Sequence, residues 1–209
     1  PVTFMMIPDE ELGSPNTRHL IEQEAARHKY VLVPEPARLG KLVSGRHALV
    51  RYTIRTRGKP AHAGADNAVG RSAIRAMARL IETIESATDM GRLVSFSVGV
   101  VSGGLFVNVI PTECTAQVLC VASSPENLAY VYDFMAGLRS PIDGVELEVT
   151  KGAERPLFQA SPGTLQLFEI AKEAAAEIGV ALEHGQFGGG SDGNFTGALG
   201  IPTLDGLGV

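Results

Sequence analysis

The chain has 209 residues, of which 44% are hydrophobic and 20% are charged, and its formal net charge is −5. This composition is typical of a globular protein with one or two cores and argues against an intrinsically disordered chain. The acidic balance, with no basic tract, argues against a nucleic-acid partner, and no apolar run is long enough to span a bilayer. Cys114 and Cys120 would lie about 20 Å apart in one predicted strand, too far for a disulfide, which favours a reducing, cytoplasmic compartment.

The first 35 residues predict a strand, a helix and a second strand. The apolar run at 2–6 predicts the first strand. Ser14 is predicted to cap a helix with Pro15 at its first position and with Leu20, Ile21 and Ala25 on its apolar face. Residues 30–33 predict a second, buried strand.

The middle of the chain predicts a separate small domain. Residues 47–57 alternate between apolar and polar side chains, which indicates a strand with one solvated face. A helix at 67–86, strands at 93–102 and 113–122, a helix at 124–139 and a strand at 145–149 complete a β-α-β-β-α-β order, the ferredoxin-like unit. With a helix at 161–178 and short strands after it, the flanking segments look like two halves of one interrupted α/β layer.

Two adjacent carboxylates, Glu10 and Glu11, follow the first predicted strand. Open α/β sheets place their chemistry at the carboxyl ends of strands. Neighbouring residues of extended backbone point to opposite sides, so one carboxylate can bind a metal while the other faces a water as general base. The alternative is a solvated acidic turn.

The glycine-rich segment at 188–193 (GGGSDG) has the spacing of a dinucleotide-binding loop. We reject that interpretation because the fingerprint needs an acidic residue ~20 positions further on, beyond the last residue of this chain. Asp192 could equally be a helix N-cap. Four of the five histidines are interpreted as structural or solvated, namely His19, His28, His47 and His184.

Five segments in the same order resemble the M20 family of zinc aminoacylases and carboxypeptidases, in particular its carboxypeptidase G2 and acetylornithine deacetylase relatives. They are PDEELGS, VLVPEPARLG, GKPAHAG, SGGLFVNVIP and GGGSDGNFTGALGIPTLDGLG. The resemblance implies an α/β fold in which a partial zinc-peptidase-like catalytic domain is interrupted by a ferredoxin-like lid and dimerisation domain. The implied boundaries are 1–44 and 154–209 for the catalytic domain and 45–153 for the lid.

The resemblance also implies roles for three carboxylates. Glu10 would take a proton from the metal-activated water, Glu11 would ligate a metal, and Glu35 would ligate the second metal. Without the resemblance, Glu35 between two prolines would be interpreted as a loop residue.

The remaining implied site residues would contact the substrate. His62 would reach from the lid, commonly into the partner subunit's site, and stabilise the developing oxyanion. Asn108 would help to stabilise the same carbonyl oxygen or to bind a substrate carboxylate. Alternatively, it could be a turn-forming residue before Pro111. The loop formed by Gly188, Gly189, Gly190 and Ser191 would line the substrate pocket.

One position departs from the family pattern. Amino-acid-cleaving relatives carry an Arg that clamps the substrate carboxylate, and Val121 stands at that place here. Because bidentate carboxylate recognition is a speciality of Arg, the usual substrate is in doubt. Arg155 is a candidate to compensate.

The function implied by the resemblance is metal-dependent hydrolysis of the amide bond of an N-acyl amino acid or peptide, with two zinc ions per complete active site. The family's His-x-Asp, its bridging Asp and its late His have no counterpart here, so we expect a fragment that is inactive alone and whose zinc site is incomplete or absent. The expected partners are a small-molecule substrate and a second copy bound through the lid. A dimerisation or binding module without chemistry is the alternative, and a dinucleotide-binding protein is a third, less favoured one.

Overall fold

The computed structural model describes residues 2–208, which divide into two units. The first unit comprises 2–49, 122–125 and 154–208, and the second comprises 50–121 and 126–153. Each holds one four-stranded sheet, so the chain has the predicted mixed α/β fold with two sheets. No helix within 2–208 has the length and apolar character needed to cross a bilayer.

The helices and strands follow the chain in this order: α1 Arg18–Ala25, β1 Val31–Val33, β2 Leu42–Arg46, β3 Ala48–Arg57, α2 Ala73–Glu85, β4 Val94–Gly103, β5 Glu113–Ala122, α3 Pro125–Gly137, β6 Glu146–Arg155, α4 Pro162–Glu177, β7 His184–Phe187, α5 Gly193–Ala198 and β8 Thr203–Asp205. Short 3₁₀ turns occur at Glu10–Leu12 and Asn67–Val69.

The first unit is built on a small mixed sheet with the order β1-β8-β2-β7. β1 pairs with β8 and β2 pairs with β7 in parallel, whereas β2 and β8 are antiparallel. Ser161 caps α4 by accepting a hydrogen bond from the Thr164 amide, and the buried residues of α4 pack against the sheet. This apolar cluster consists of Leu42, Leu167, Phe168 and Leu204.

The second unit contains the predicted β-α-β-β-α-β order, and its sheet has the order β4-β5-β3-β6. Along β3 the apolar side chains are buried and the intervening polar ones are exposed, as the alternation predicts. α2 turns five residues into the core: Ala73, Ala76, Met77, Leu80 and Ile84. β4 and β6 are the edge strands of this sheet.

Four local predictions are wrong. Residues 2–6 form no strand, and Val2, Phe4 and Met6 are each at least 80% exposed, since no neighbouring strand in the described part of the chain pairs with them. Ser14 does not cap α1, which begins at Arg18 after a turn, and α2 begins at Ala73 rather than at 67. The strand β1 exists as predicted, but it is not buried, because Leu32 is 61% exposed.

Candidate active site

The two adjacent carboxylates lie on a tight turn. Asp9 is buried and accepts hydrogen bonds from the amide of Asn16 and the hydroxyl of Thr17. The carbonyl oxygen of Asp9 accepts hydrogen bonds from the amides of Leu12 and Ser14, which closes the 3₁₀ turn. Glu10 leaves this turn half-buried, whereas Glu11 is exposed, so the neighbouring carboxylates occupy different environments.

Glu10 is held by Arg155, the last residue of β6. The Nη2 atom of Arg155 donates to Oε1 of Glu10 at 2.7 Å and to its carbonyl oxygen at 2.8 Å. The Nη1 atom donates to Oδ1 of Asp192 at 2.9 Å. Only 9% of the Arg155 side chain is exposed, so one buried guanidinium joins two carboxylates that lie 182 residues apart in sequence (192 − 10).

The environment of the site raises the pKa of two carboxyl groups, those of Glu10 and Glu35. Burial raises the pKa of Glu10, the positive charge of Arg155 opposes this, and the negative charges of Glu35 and Asp192 add to the rise. Burial also raises the pKa of Glu35, and Asp205 is the largest of the neighbouring charges that add to it. Glu10 is therefore partly desolvated and close enough to feel the negative charge of Glu35, and a cation bound between them would stabilise both charged carboxylates.

The glycine-rich loop connects β7 to α5 and is anchored by a buried ion pair. Arg46 contacts Asp205 through Nε at 2.5 Å and through Nη2 at 2.9 Å, and its Nη1 donates to the carbonyl of Gly189 at 2.8 Å. The hydroxyl of Ser191 donates to Asp205, and the Ser191 amide donates to Asn194. Ser191 therefore supports the loop, which leaves Gly188 to Gly190 as its more exposed part.

Gly190 is required by its neighbours. A Cβ atom at this position would lie 2.4 Å from Leu49 Cδ1 and 2.7 Å from Arg155 Cδ. Any side chain here would displace Arg155, so the glycine permits the loop to pass close to the guanidinium.

His62 and Asn108 lie in the second unit, on two paired segments. His62 bridges to Val109, and the amide of Ala63 donates to the carbonyl of Asn108 at 2.9 Å. Both residues are exposed, and Nδ1 of His62 accepts the amides of Gly64 and Ala65. These two predicted substrate contacts are thus neighbours, in a loop pair that orients the imidazole.

Glu11 and Glu35 have the chemistry of metal ligands, but two carboxylates are too few to complete a metal site. Glu11 and Glu35 offer carboxylate oxygens, which zinc accepts as ligands. Within residues 2–208, no group of three or more His, Cys, Asp or Glu side chains has an arrangement that could hold a metal ion. The described residues could supply part of a zinc coordination shell and not a full one.

Four residues that organise this site were not predicted in their observed roles, namely Ser14, Arg46, Asp192 and Asp205. Asp192 precedes α5 but makes no side-chain cap hydrogen bond, and its carboxylate is used by Ser14 and Arg155 instead. The partners of these side chains come from distant parts of the chain, so no local pattern indicates them.

A comparison with sequence families finds one matching profile, which covers residues 44–139 and is described as the peptidase dimerisation domain, M20_dimer. Carboxypeptidase G2 from Pseudomonas sp. (strain RS-16) is 29% identical over 224 residues, a match that covers 100% of this chain and 51% of that protein. Protein YqjE from Bacillus subtilis is 28% identical, and the match covers 98% of this chain and 55% of that protein. The chain thus spans about half the length of these relatives.

Solved structures with the same fold include a tripeptidase from Staphylococcus aureus, with a TM-score of 0.71 and 21% identity over 92% of this chain and 53% of that chain. An aminobenzoyl-glutamate utilization protein from Klebsiella pneumoniae has a TM-score of 0.65 and 19% identity, over 90% of this chain and 52% of that chain. At this level of identity the two structures establish a shared fold.

Proposed function

We propose, from the premise that this chain carries an M20 peptidase dimerisation domain and is homologous to carboxypeptidase G2, that the full-length protein is a metal-dependent amide hydrolase. Its substrates would be N-acyl amino acids or peptides. The observation that carries the proposal is the half-buried Glu10, which Arg155 holds through one carboxylate oxygen close to the negative charges of Glu35 and Asp192.

In this proposal Glu10 is the general base. A general base must reach its proton within hydrogen-bond distance, and a carboxylate whose pKa is raised by burial accepts a proton more readily than one in water. Glu11 and Glu35 would be metal ligands, joined by ligands outside residues 2–208. Bound zinc would supply a Lewis acid that lowers the pKa of water and polarises the scissile carbonyl.

The proposed substrate contacts fall into two groups. Gly188 to Gly190 would accommodate the substrate's carboxylate end, and the carbonyl oxygen of Gly189 in this loop accepts a hydrogen bond from Arg46. His62 and Asn108 would stabilise the developing charge on the carbonyl oxygen, since an imidazole and an amide can both donate to it. Arg155 would meet a substrate carboxylate only by releasing one of its present acceptors.

We also propose that the full-length protein is a homodimer through the second unit. The profile match supports this, since the matched family is a dimerisation domain. β4 is an edge strand that exposes Val100 and Val101, each more than half accessible. An exposed apolar edge strand can pair with a second copy across a two-fold axis. The matching measurement is the mass of the full-length protein by analytical ultracentrifugation at micromolar concentration, where a strict monomer contradicts the dimer.

The second candidate is a dimerisation or binding module without chemistry. It is favoured by the absence of a three-ligand metal group within residues 2–208. In that case the second unit would keep its interface while the carboxylates of the first unit would serve only to hold its loops.

The experiment that separates these candidates uses the full-length protein loaded with zinc. Release of free amino acid is followed with N-acyl-glutamates, neutral N-acyl amino acids and dipeptides, before and after chelation. We expect turnover of at least one class, loss of that turnover with the chelator, and recovery on adding zinc back. Absence of turnover in a protein that retains two zinc ions would reject the hydrolase and leave the module.

A further inference from the structure

A chain of four polar side chains connects the glycine-rich loop to Glu10. The hydroxyl of Ser14 donates to Oδ1 of Asp192 at 2.5 Å, and the same oxygen accepts Nη1 of Arg155 at 2.9 Å. Arg155 in turn donates to Oε1 of Glu10 at 2.7 Å. Ser14 is fully buried, and 13% of the Asp192 side chain is exposed.

The ordinary structural roles of Asp192 and Ser14 do not explain this arrangement. Asp192 precedes α5 but makes no cap hydrogen bond to it, and α1 begins at Arg18, beyond the reach of Ser14 as a cap. Ser14 also has φ +53°, a left-handed conformation that is uncommon for residues other than glycine. In this conformation the Ser14 hydroxyl donates to Asp192.

The geometry of the guanidinium determines how Asp192 affects the contact between Arg155 and Glu10. A guanidinium is planar and rigid, so two carboxylates bound at its two terminal nitrogens are held at a fixed separation and orientation. Because Asp192 occupies Nη1, Glu10 is contacted through Nη2 alone and through one oxygen. Within residues 2–208, Oε2 of Glu10 accepts no hydrogen bond, so it is available to a proton donor.

Without Asp192, Nη1 would be released. The favoured arrangement of an Arg–carboxylate pair is bidentate, with two parallel N–H···O bonds. Arg155 would then turn so that both terminal nitrogens face Glu10, and both carboxylate oxygens would be engaged.

Resting on the proposed role of Glu10, we infer that Asp192 and Ser14 are positioning residues that act through Arg155. They keep Arg155 on a single oxygen of Glu10 and leave the other oxygen free to accept the proton of the attacking water. These hydrogen bonds also connect the glycine-rich loop to Glu10, because Asp192 directly follows the loop residue Ser191.

Crystal structures of the full-length protein test the geometry without any assay. In Asp192→Ala we expect Arg155 to contact both oxygens of Glu10, whereas in the control Glu183→Gln the Arg155–Glu10 contact stays as it is. Glu183 is a suitable control because it pairs with Lys41 at the surface and is 70% exposed. An unchanged single-oxygen contact in Asp192→Ala would overturn the inference and leave the proposed function untouched.

Kinetics test the consequence. Asp192→Ala should lower kcat about 100-fold, the order of loss expected for a misplaced catalytic group, with KM and zinc content close to wild type. Arg155→Lys should lower kcat as well, since one ammonium cannot hold both carboxylates in a fixed plane. The double variant Asp192→Ala/Arg155→Lys should be no slower than the slower single variant.

Additive losses in the double variant would show that Asp192 does not act through Arg155. A loss of zinc or a rise in KM with kcat unchanged would equally overturn the inference. If the wild-type protein hydrolyses no amide at all, the proposed function fails, and the crystallographic comparison still decides whether Asp192 positions Glu10.

Discussion

Removing one partner of the buried pair formed by Arg46 and Asp205 should destabilise the first unit. Asp205 is fully buried and 8% of the Arg46 side chain is exposed, and two hydrogen bonds join them in a bidentate arrangement. Arg46→Met removes the cation and leaves a buried negative charge. Breaking a buried pair in this way typically costs about 3–5 kcal/mol.

The remaining donors to Asp205 set the expected value within that range. The Ser191 hydroxyl and the Gly206 amide each donate to its carboxylate at 2.5 Å and would still satisfy part of the charge. We therefore expect Arg46→Met to lower the free energy of unfolding by about 3 kcal/mol, the lower end of the range.

Urea unfolding followed by far-UV circular dichroism measures this loss. Lys41→Met is the matched control, because Lys41 pairs with Glu183 at the surface and such exposed pairs contribute at most about 1 kcal/mol. An Arg46→Met protein within about 1 kcal/mol of wild type would refute the reasoning that the carboxylate is held charged by its partner.

Three further outcomes follow from the structure and the sequence. Gly197→Ala should cost about 1–3 kcal/mol, because its Cβ would lie 2.0 Å from the Phe158 ring, whereas Gly137→Ala, with nothing within 4 Å, should not destabilise. Burial lowers the pKa of His47, so the unfolding free energy should fall as the pH drops below about 6.5, and urea titrations should show less of this fall in His47→Gln. Val121→Arg should raise kcat/KM for acidic over neutral substrates, and an unchanged ratio contradicts the missing-clamp interpretation.

Secondary structure was predictable where one face of an element meets water. β3 alternates because one side of its sheet is exposed, and Ser161 followed by Pro162 marks the start of α4. β2 was missed because all five of its residues are buried, which removes the alternation. The helix expected to begin at 67 begins at Ala73, and the Gly70 and Ser72 signals mark the break.

The candidate site was predictable only in its local motif. Glu10 and Glu11 are adjacent in sequence, so the two neighbouring carboxylates could be identified without knowledge of the fold. The contact of Arg155 with Glu10 joins residues 145 positions apart, and the contact of Ser14 with Asp192 joins residues 178 apart. Such contacts depend on the tertiary fold, and no periodicity or spacing indicates them.

The measurement that tests the central claim most directly is the turnover of Glu10→Gln in the zinc-loaded, full-length protein. The amide keeps the shape of the carboxylate but accepts no proton, so kcat should fall roughly 10²–10⁴-fold while KM and zinc content stay unchanged. Glu11→Gln should lose zinc together with activity, and Glu183→Gln should match wild type in both. A Glu10→Gln protein with turnover near wild type would contradict the assignment of Glu10 as the general base.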